Sequence, residues 1–291
     1  RPNAGKSTLL NQIVGAKIAI VSDKPQTTRN RILGVKNYDA AQVVFIDTPG
    51  IHRPLHRMNV RMVDAAVDTI REVDVLGYVV DATEEPGAGE AFMIDLVKRA
   101  KCPVCLVLNK VDLLKKTKLL PVIDRFRQQA EFAEIVPVSA LTGDGVERLE
   151  EAVIRLLPEG ERLYPEDYLT DQPERVLAAE IVREKLLQLT RDEIPFSSAV
   201  VVERFEEPEG PKGLLRLYCS IVVERESQKP IVVGKGGAVV KAIGTAARQD
   251  LEAFFGHRVF LDLHVRVKSE WREDDRILNE LGLGRHGRGG E

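Results

Sequence analysis

Four short stretches hold the residue types that grip phosphate, metal and a purine base. Asn3-Ala4-Gly5-Lys6-Ser7-Thr8 fits the end of the pattern G-x-x-x-x-G-K-[ST]. There a glycine lets backbone N–H groups wrap a phosphate, and the helix that follows adds its positive end. Lys6 would reach the β and γ phosphates, and Ser7 would bind Mg²⁺. The second stretch, Asp47-Thr48-Pro49-Gly50-Ile51, follows the apolar run QVVFI. Asp-x-x-Gly after a buried strand can sense a terminal phosphate. The third, Asn109-Lys110-Val111-Asp112, ends the run CLVL. Asp112 can accept two N–H bonds from guanine where adenine offers no such pair. Asn109 can bond the base edge, and the stem of Lys110 can cover its face. The fourth, Ser139-Ala140-Leu141, would close over the base through backbone N–H groups.

These stretches need strand ends to hold them. GKSTLLNQIVG predicts a helix with Gly15 just past its end. RILGVKNY and AQVVFIDTPG predict a hairpin. Downstream, strand runs DVLGYVVDAT, CPVCLVLNKVD and EIVPVSAL alternate with helical runs MNVRMVDAAVDTIREV, GEAFMIDLVKRA, KLLPVIDRFRQQA and GVERLEEAVIRLLP. Alternation of this kind predicts an α/β fold with a mostly parallel sheet, one antiparallel edge strand, and ligands beyond the carboxyl ends of the strands. An interruption is expected at Pro121. The leading glycine of the phosphate loop would lie one position before Arg1. The sequence thus reads as lacking a short N-terminal segment with that glycine and the first strand, which would leave a gap in the sheet.

The chain has 291 residues and three cysteines, its formal net charge is −3, and 44% of it is apolar. Those values suit two packed domains in a reducing compartment, and no apolar run reaches the ~18 residues of a membrane span. A cytosolic protein is expected. Cys102-Pro-Val-Cys105 leads into a strand, not a helix, so buried cysteine is the better reading than a redox pair. His52 and His56 have a proline between them and no acidic ligand, which argues against zinc.

Residues 1–157 form the first expected domain, 158–174 a linker rich in proline, tyrosine and acids, 175–272 a second domain, and 273–291 a tail with a disordered glycine-rich end. The second domain reads helix, two strands, two helices split by Gly234-Lys235-Gly236-Gly237, strand. A G-x-x-G between helices lets a nucleic-acid backbone approach. Lys235 can neutralise a phosphate. Ile231 and Val233 before the loop, and the apolar run after it, offer a groove for bases. Residues from Gly160 onward carry 20 basic and 24 acidic side chains, which argues against RNA. Between Ser227 and Arg272 the balance reverses to eight basic, Lys241 and Arg248 among them, against four acidic.

In order, NAGKST, DTPG, NKVD and SAL make residues 1–157 resemble a Ras-type P-loop GTPase of the translation-factor class. With VVERESQKPIVVGKGG and VFLDLHVRVKSEWR the chain is similar nearly throughout to the Era family of bacterial ribosome-assembly GTPases. The resemblance implies a type II KH fold (K-homology) for the second domain and GTP, GDP and Mg²⁺ as ligands. Its implied partners are the 3′ end of 16S rRNA and the small ribosomal subunit, bound under GTP control by a cytoplasmic monomer with peripheral membrane contact. In such GTPases a threonine before the hairpin binds Mg²⁺ and the γ-phosphate. Thr28 is favoured here, with Thr27 as the alternative. Asp47 would hold Mg²⁺ through water, and the Gly50 N–H would touch the γ-phosphate. Ile51 cannot hydrogen-bond an attacking water, as the glutamine at this place in other switches does. Asn3 offers a replacement, because its side-chain oxygen could hold K⁺ beside the β and γ phosphates. The other role open to Asn3 is a loop-stabilising amide. The expectation is slow, K⁺-stimulated hydrolysis assisted by Asn3, Lys6, Thr28 and Gly50. The competing reading is an RNA chaperone that holds GTP with negligible turnover.

Overall fold

The computed structural model describes residues 3–283 except 25, 51–55, 86, 88, 192 and 211. Two units emerge from it. One comprises 1–21, 31–53 and 63–171, and the other 22–30, 54–62 and 172–291.

In the first unit, α1 (Lys6–Val14) starts directly after Gly5 and ends at Gly15, whose left-handed backbone donates its N–H to Asn11 O. The hairpin strands β1 (Ile32–Asn37) and β2 (Gln42–Asp47) pair antiparallel from Ile32–Asp47 to Asn37–Gln42. Next come α2 (Arg57–Glu72), β3 (Leu76–Asp81), α3 (Glu90–Arg99), β4 (Val104–Asn109), α4 (Lys116–Arg127), β5 (Glu134–Pro137) and α5 (Val146–Leu156). The first residues of α2, up to Met62, belong to the other unit. β3, β4 and β5 run parallel with β4 in the middle, buried along its whole length. Strand alternation sorts the side chains. Val79, Val107 and Val136 join Leu9 and Ile13 of α1 and Leu149 of α5 on one face. Tyr78, Val80, Leu106 and Leu108 meet Ile94 of α3 and Phe126 of α4 on the other.

The sheet carries the expected gap. Among the described residues the strands form two sets, β1–β2 and β3–β4–β5. Ala4, Phe45 and Val79 meet in one apolar cluster, so packing joins what no described ladder does. Against expectation, Pro121 does not interrupt its helix, since α4 runs through it. Pro121 and Thr117, whose carbonyl loses its partner, both face solvent, where water can serve that carbonyl. Residues expected in the linker lie along the hairpin. The Val35 N–H donates to Leu169 O (2.9 Å), and Gln42 holds both N–H groups of Leu163 and Tyr164 (2.8 and 2.9 Å).

The second unit contains α6 (Glu174–Leu189), α7 (Ile194–Ser197), β6 (Ser198–Glu206), β7 (Leu214–Val223), α8 (Lys229–Val233), α9 (Ala238–Phe255), β8 (Arg258–Val267) and α10 (Asp275–Glu280). β7 is central, antiparallel to β6 and parallel to β8. One sheet face packs Leu217, Cys219 and Ile221 against Ile181 and Leu186 of α6 and Ile243 and Ala247 of α9. The other packs Ala199, Val201 and Val222 against Met58, Met62, Trp271, Ile277 and Leu281. The expected tail is therefore packed structure as far as Leu283, and residues 284–291 lie outside the described residues.

Candidate nucleotide site and nucleic-acid clamp

The phosphate loop is built on reversed backbone. Asn3 (φ 55°) and Gly5 (φ 83°) both take left-handed conformations, which turns successive N–H groups toward one concavity. A Cβ at Gly5 would run into Nδ2 of Asn109, so glycine is required there on two counts. Lys6, Ser7 and Thr8 then form the first turn of α1 and place its N–H groups at the loop. Ser7 Oγ donates to Asp47 Oδ2 at 2.6 Å. A hydroxyl and a buried carboxylate brought together in this way are hard oxygen donors suited to Mg²⁺. Thr48, Pro49 and Gly50 continue from β2, whereas Ile51 and His52 lie outside the described residues.

Asn109 also has a structural role. Its side chain is 2% exposed and turned inward. Nδ2 donates to Ala4 O at 2.8 Å, and Oδ1 accepts from the Ala140 N–H at 2.9 Å. Through Oδ1 and one of the two Nδ2 hydrogens it ties the phosphate loop to the 139–141 loop. The Ala140 N–H is thereby committed, and the Ser139 N–H donates to Asp144 O at 2.8 Å, so these two groups hold their loop and do not face a base. Leu141 and Asp112 are exposed. Asp112 sits in the short turn Val111–Leu113, open to a guanine edge. Lys110 is left-handed (φ 66°) and reaches back to Asp81, a residue the motif reading passed over. The signal available was a carboxylate at the carboxyl end of a buried strand, in VVDAT.

Thr27 and Thr28 belong to the segment 22–30 of the second unit. Thr28 is buried, Thr27 Oγ1 donates to Lys24 O at 2.6 Å, and Arg183 donates to Thr27 O. The adjacent Arg29 is buried over the Trp271 ring and donates to Ser198 O (2.9 Å) and Pro195 O (3.2 Å). Burial, then the neighbouring Arg183 charge, push its guanidinium down to about 9. The sequence carries no sign of this, because the acceptors are backbone carbonyls far along the chain. His56 faces Glu273 at 3.3 Å. The cysteines behave as core. Burial, then Glu134, push the Cys105 thiol up to about 12, which suits packing and not redox chemistry.

The second unit presents the other site. α8 ends at Gly234, whose φ of 74° and ψ of 171° are open only to glycine, and a Cβ there would lie 2.5 Å from Val239 Cγ2. Gly236 and Gly237 are also left-handed, while a Cβ on Gly236 would meet open space. Lys235, Gly236 and Ile231 are exposed and Val233 is half-buried beside them. Lys241 and Arg248, both exposed on α9 and seven residues apart, share a helical face.

Residues 1–110 match the model of the family described as 50S ribosome-binding GTPase, and residues 193–272 match that of the KH domain. The chain is 53% identical to GTPase Era of Geobacter metallireducens, covering 97% of this chain and 94% of that one. It is 48% identical to GTPase Era of Heliobacterium modesticaldum at the same coverage. A point variant of Era from Aquifex aeolicus, bound to GDP and AlF4⁻, superposes with a TM-score of 0.92 at 41% identity, covering 98% of this chain and 96% of that one. Era in complex with MgGDPNP and nucleotides 1506–1542 of 16S ribosomal RNA superposes at 0.91 with 42% identity and the same coverage.

Two predictions follow from these geometries. Asp112→Asn lowers GTP affinity by about a hundredfold or more and improves xanthosine triphosphate binding, because the amide donates where the carboxylate accepted. Competition binding checks it, and unchanged GTP affinity contradicts the base assignment. Gly236→Asp weakens single-stranded RNA binding by about tenfold or more through charge repulsion at the backbone clamp. GTP binding stays intact, because the site is open and aspartate tolerates left-handed backbone.

Proposed function

The chain belongs to the GTPase Era family, and from that premise we propose that it hydrolyses GTP and uses the nucleotide cycle to control binding of the 3′ end of 16S rRNA during small-subunit assembly. The observation that carries the nucleotide half is the Asn109 amide, which fastens a phosphate loop, a guanine-reading turn and the 139–141 loop into one site. The glycine clamp of the second unit supports the RNA half. The relative solved with 16S rRNA nucleotides 1506–1542 supports the choice of RNA.

In this reading Lys6 and the loop N–H groups hold the β and γ phosphates. Ser7 and Asp47 hold Mg²⁺, which neutralises charge on the transferred phosphoryl oxygens. Asp112 selects guanine. Thr28 is the threonine assigned to the metal and γ-phosphate contacts, and the Gly50 N–H senses the same phosphate. Water attacks the γ-phosphorus, the bond to the β-bridging oxygen breaks, and GDP and phosphate leave. Ile51 supplies no hydrogen bond to that water. Asn3, exposed at the mouth of the loop, would instead hold a K⁺ ion, whose charge would offset that developing on the phosphates. Turnover without RNA is therefore slow. The family setting accompanies this reading: a cytoplasmic monomer with peripheral membrane contact. Among the described residues no helix is long and apolar enough to cross a membrane.

Steady-state GTP turnover in KCl and in NaCl, with and without a single-stranded oligonucleotide of the 16S rRNA 3′ end, tests the proposal. It predicts higher turnover in KCl and a further rise with RNA. Equal turnover in both salts removes the K⁺ role. Turnover no faster than in the absence of protein, under every condition, makes the chain a GTP-holding RNA chaperone instead.

A further inference from the structure

Asp81 ends β3 directly opposite Asn109, where β4 ends. It is 5% exposed. Its Oδ1 accepts from both the N–H and the hydroxyl of Thr83, at 2.9 and 2.6 Å. Its Oδ2 meets Lys110 Nζ at 2.5 Å. Burial works to raise its pKa, and the bonds from Lys110 and Thr83 outweigh burial, so the carboxyl stays ionised below its ordinary range. Thr83 thus holds the carboxylate with its other oxygen toward the lysine.

The lysine needs such a partner. A four-carbon stem has many rotamers, and left in water Lys110 would sample most of them. The left-handed backbone at Lys110 turns its side chain back over the end of β3, and the ion pair fixes the far end of the stem. Both ends of the apolar stem are then set before any base arrives. The stem belongs to the same four-residue turn as Asp112, which reads the guanine edge.

We propose that Asp81, with Thr83 behind it, is a positioning residue for guanine-nucleotide binding: it pins the Lys110 ammonium so that the lysine stem forms a preformed wall for the purine face. The proposal rests on the guanine-nucleotide reading above. It acts on the base and not on the phosphates, so GDP and GTP depend on it equally.

A double-mutant cycle tests it, with GDP and GTP affinities and GDP release rates measured on the full chain by fluorescent-nucleotide binding. Asp81→Asn is expected to weaken both nucleotides by about tenfold, mostly through faster release, the scale of losing one charge-assisted contact and its preorganisation. Lys110→Met keeps the stem and removes the charge. In that background Asp81→Asn is expected to change affinity by less than about twofold, because the partner is already gone. A merely structural role for Asp81 would lower affinity equally in both backgrounds, and that result overturns the proposal. So does an Asp81→Asn protein that binds within twofold of the wild type. If Asp81→Asn fails to fold, Thr83→Val replaces it, since it keeps the carboxylate and loosens it. A several-fold loss that vanishes with Lys110→Met supports the proposal, and no loss overturns it. Failure of the wild-type chain to bind GDP at all would instead fell the guanine-nucleotide reading.

Discussion

The buried amide of Asn109 is the interaction on which the nucleotide site depends. Three loops leave three different elements. The β4–β5 ladder, continued by the Val111 N–H on Val138 O at 3.2 Å, fixes two of the three loops relative to each other, and no described ladder reaches the phosphate loop. A single side chain does, by donating to the phosphate loop at Ala4 and accepting from the 139–141 loop at Ala140. Both bonds lie in a dry interior, where each is strong and an orphaned partner is costly. Gly5 follows from the same constraint, because the space its side chain would fill is taken by that amide. A chain of this size can then read phosphate, metal and base with loops that are otherwise short and separately anchored.

The second unit solves a similar problem with backbone and not with an amide. Gly234 closes tightly on Val239, while Gly236 stays open at the tip, so one glycine is needed for packing and the other for access. The face of the sheet turned away from these helices is covered by Trp271, Ile277 and Leu281 together with Met58 and Met62. The segment 22–30, which carries the expected metal-binding threonines, is held in this unit by Arg29 and Asn30.

Much of this was legible in the sequence, because phosphate and guanine chemistry admit few residue types. Gly5-Lys6-Ser7, Asp47, Asp112 and the glycines from Gly234 to Gly237 were legible for that reason, as was the alternation that makes β1 and β2 a hairpin. Legibility fails where the partner is backbone. The two backbone partners of Asn109 cannot be read from its motif. The stretch from Leu163 to Leu169 reads as a linker because its attachments to the hairpin run largely through N–H and carbonyl groups. The burial of Arg29 leaves no trace in the sequence, because the carbonyls of Pro195 and Ser198 carry no signature. Asp81 was missed for another reason. Its role depends on the left-handed turn at Lys110, which lysine seldom adopts.

The affinity of Asn109→Ala for GDP, set beside its affinity for single-stranded RNA, tests the central claim most directly. Losing two buried bonds and orphaning their partners costs about 2–4 kcal/mol, so GDP affinity should fall by about thirtyfold to several hundredfold while RNA binding by the glycine clamp is retained. A variant that folds and binds GDP within twofold of the wild type would contradict the account, because the three loops would then hold their places without the amide that joins them.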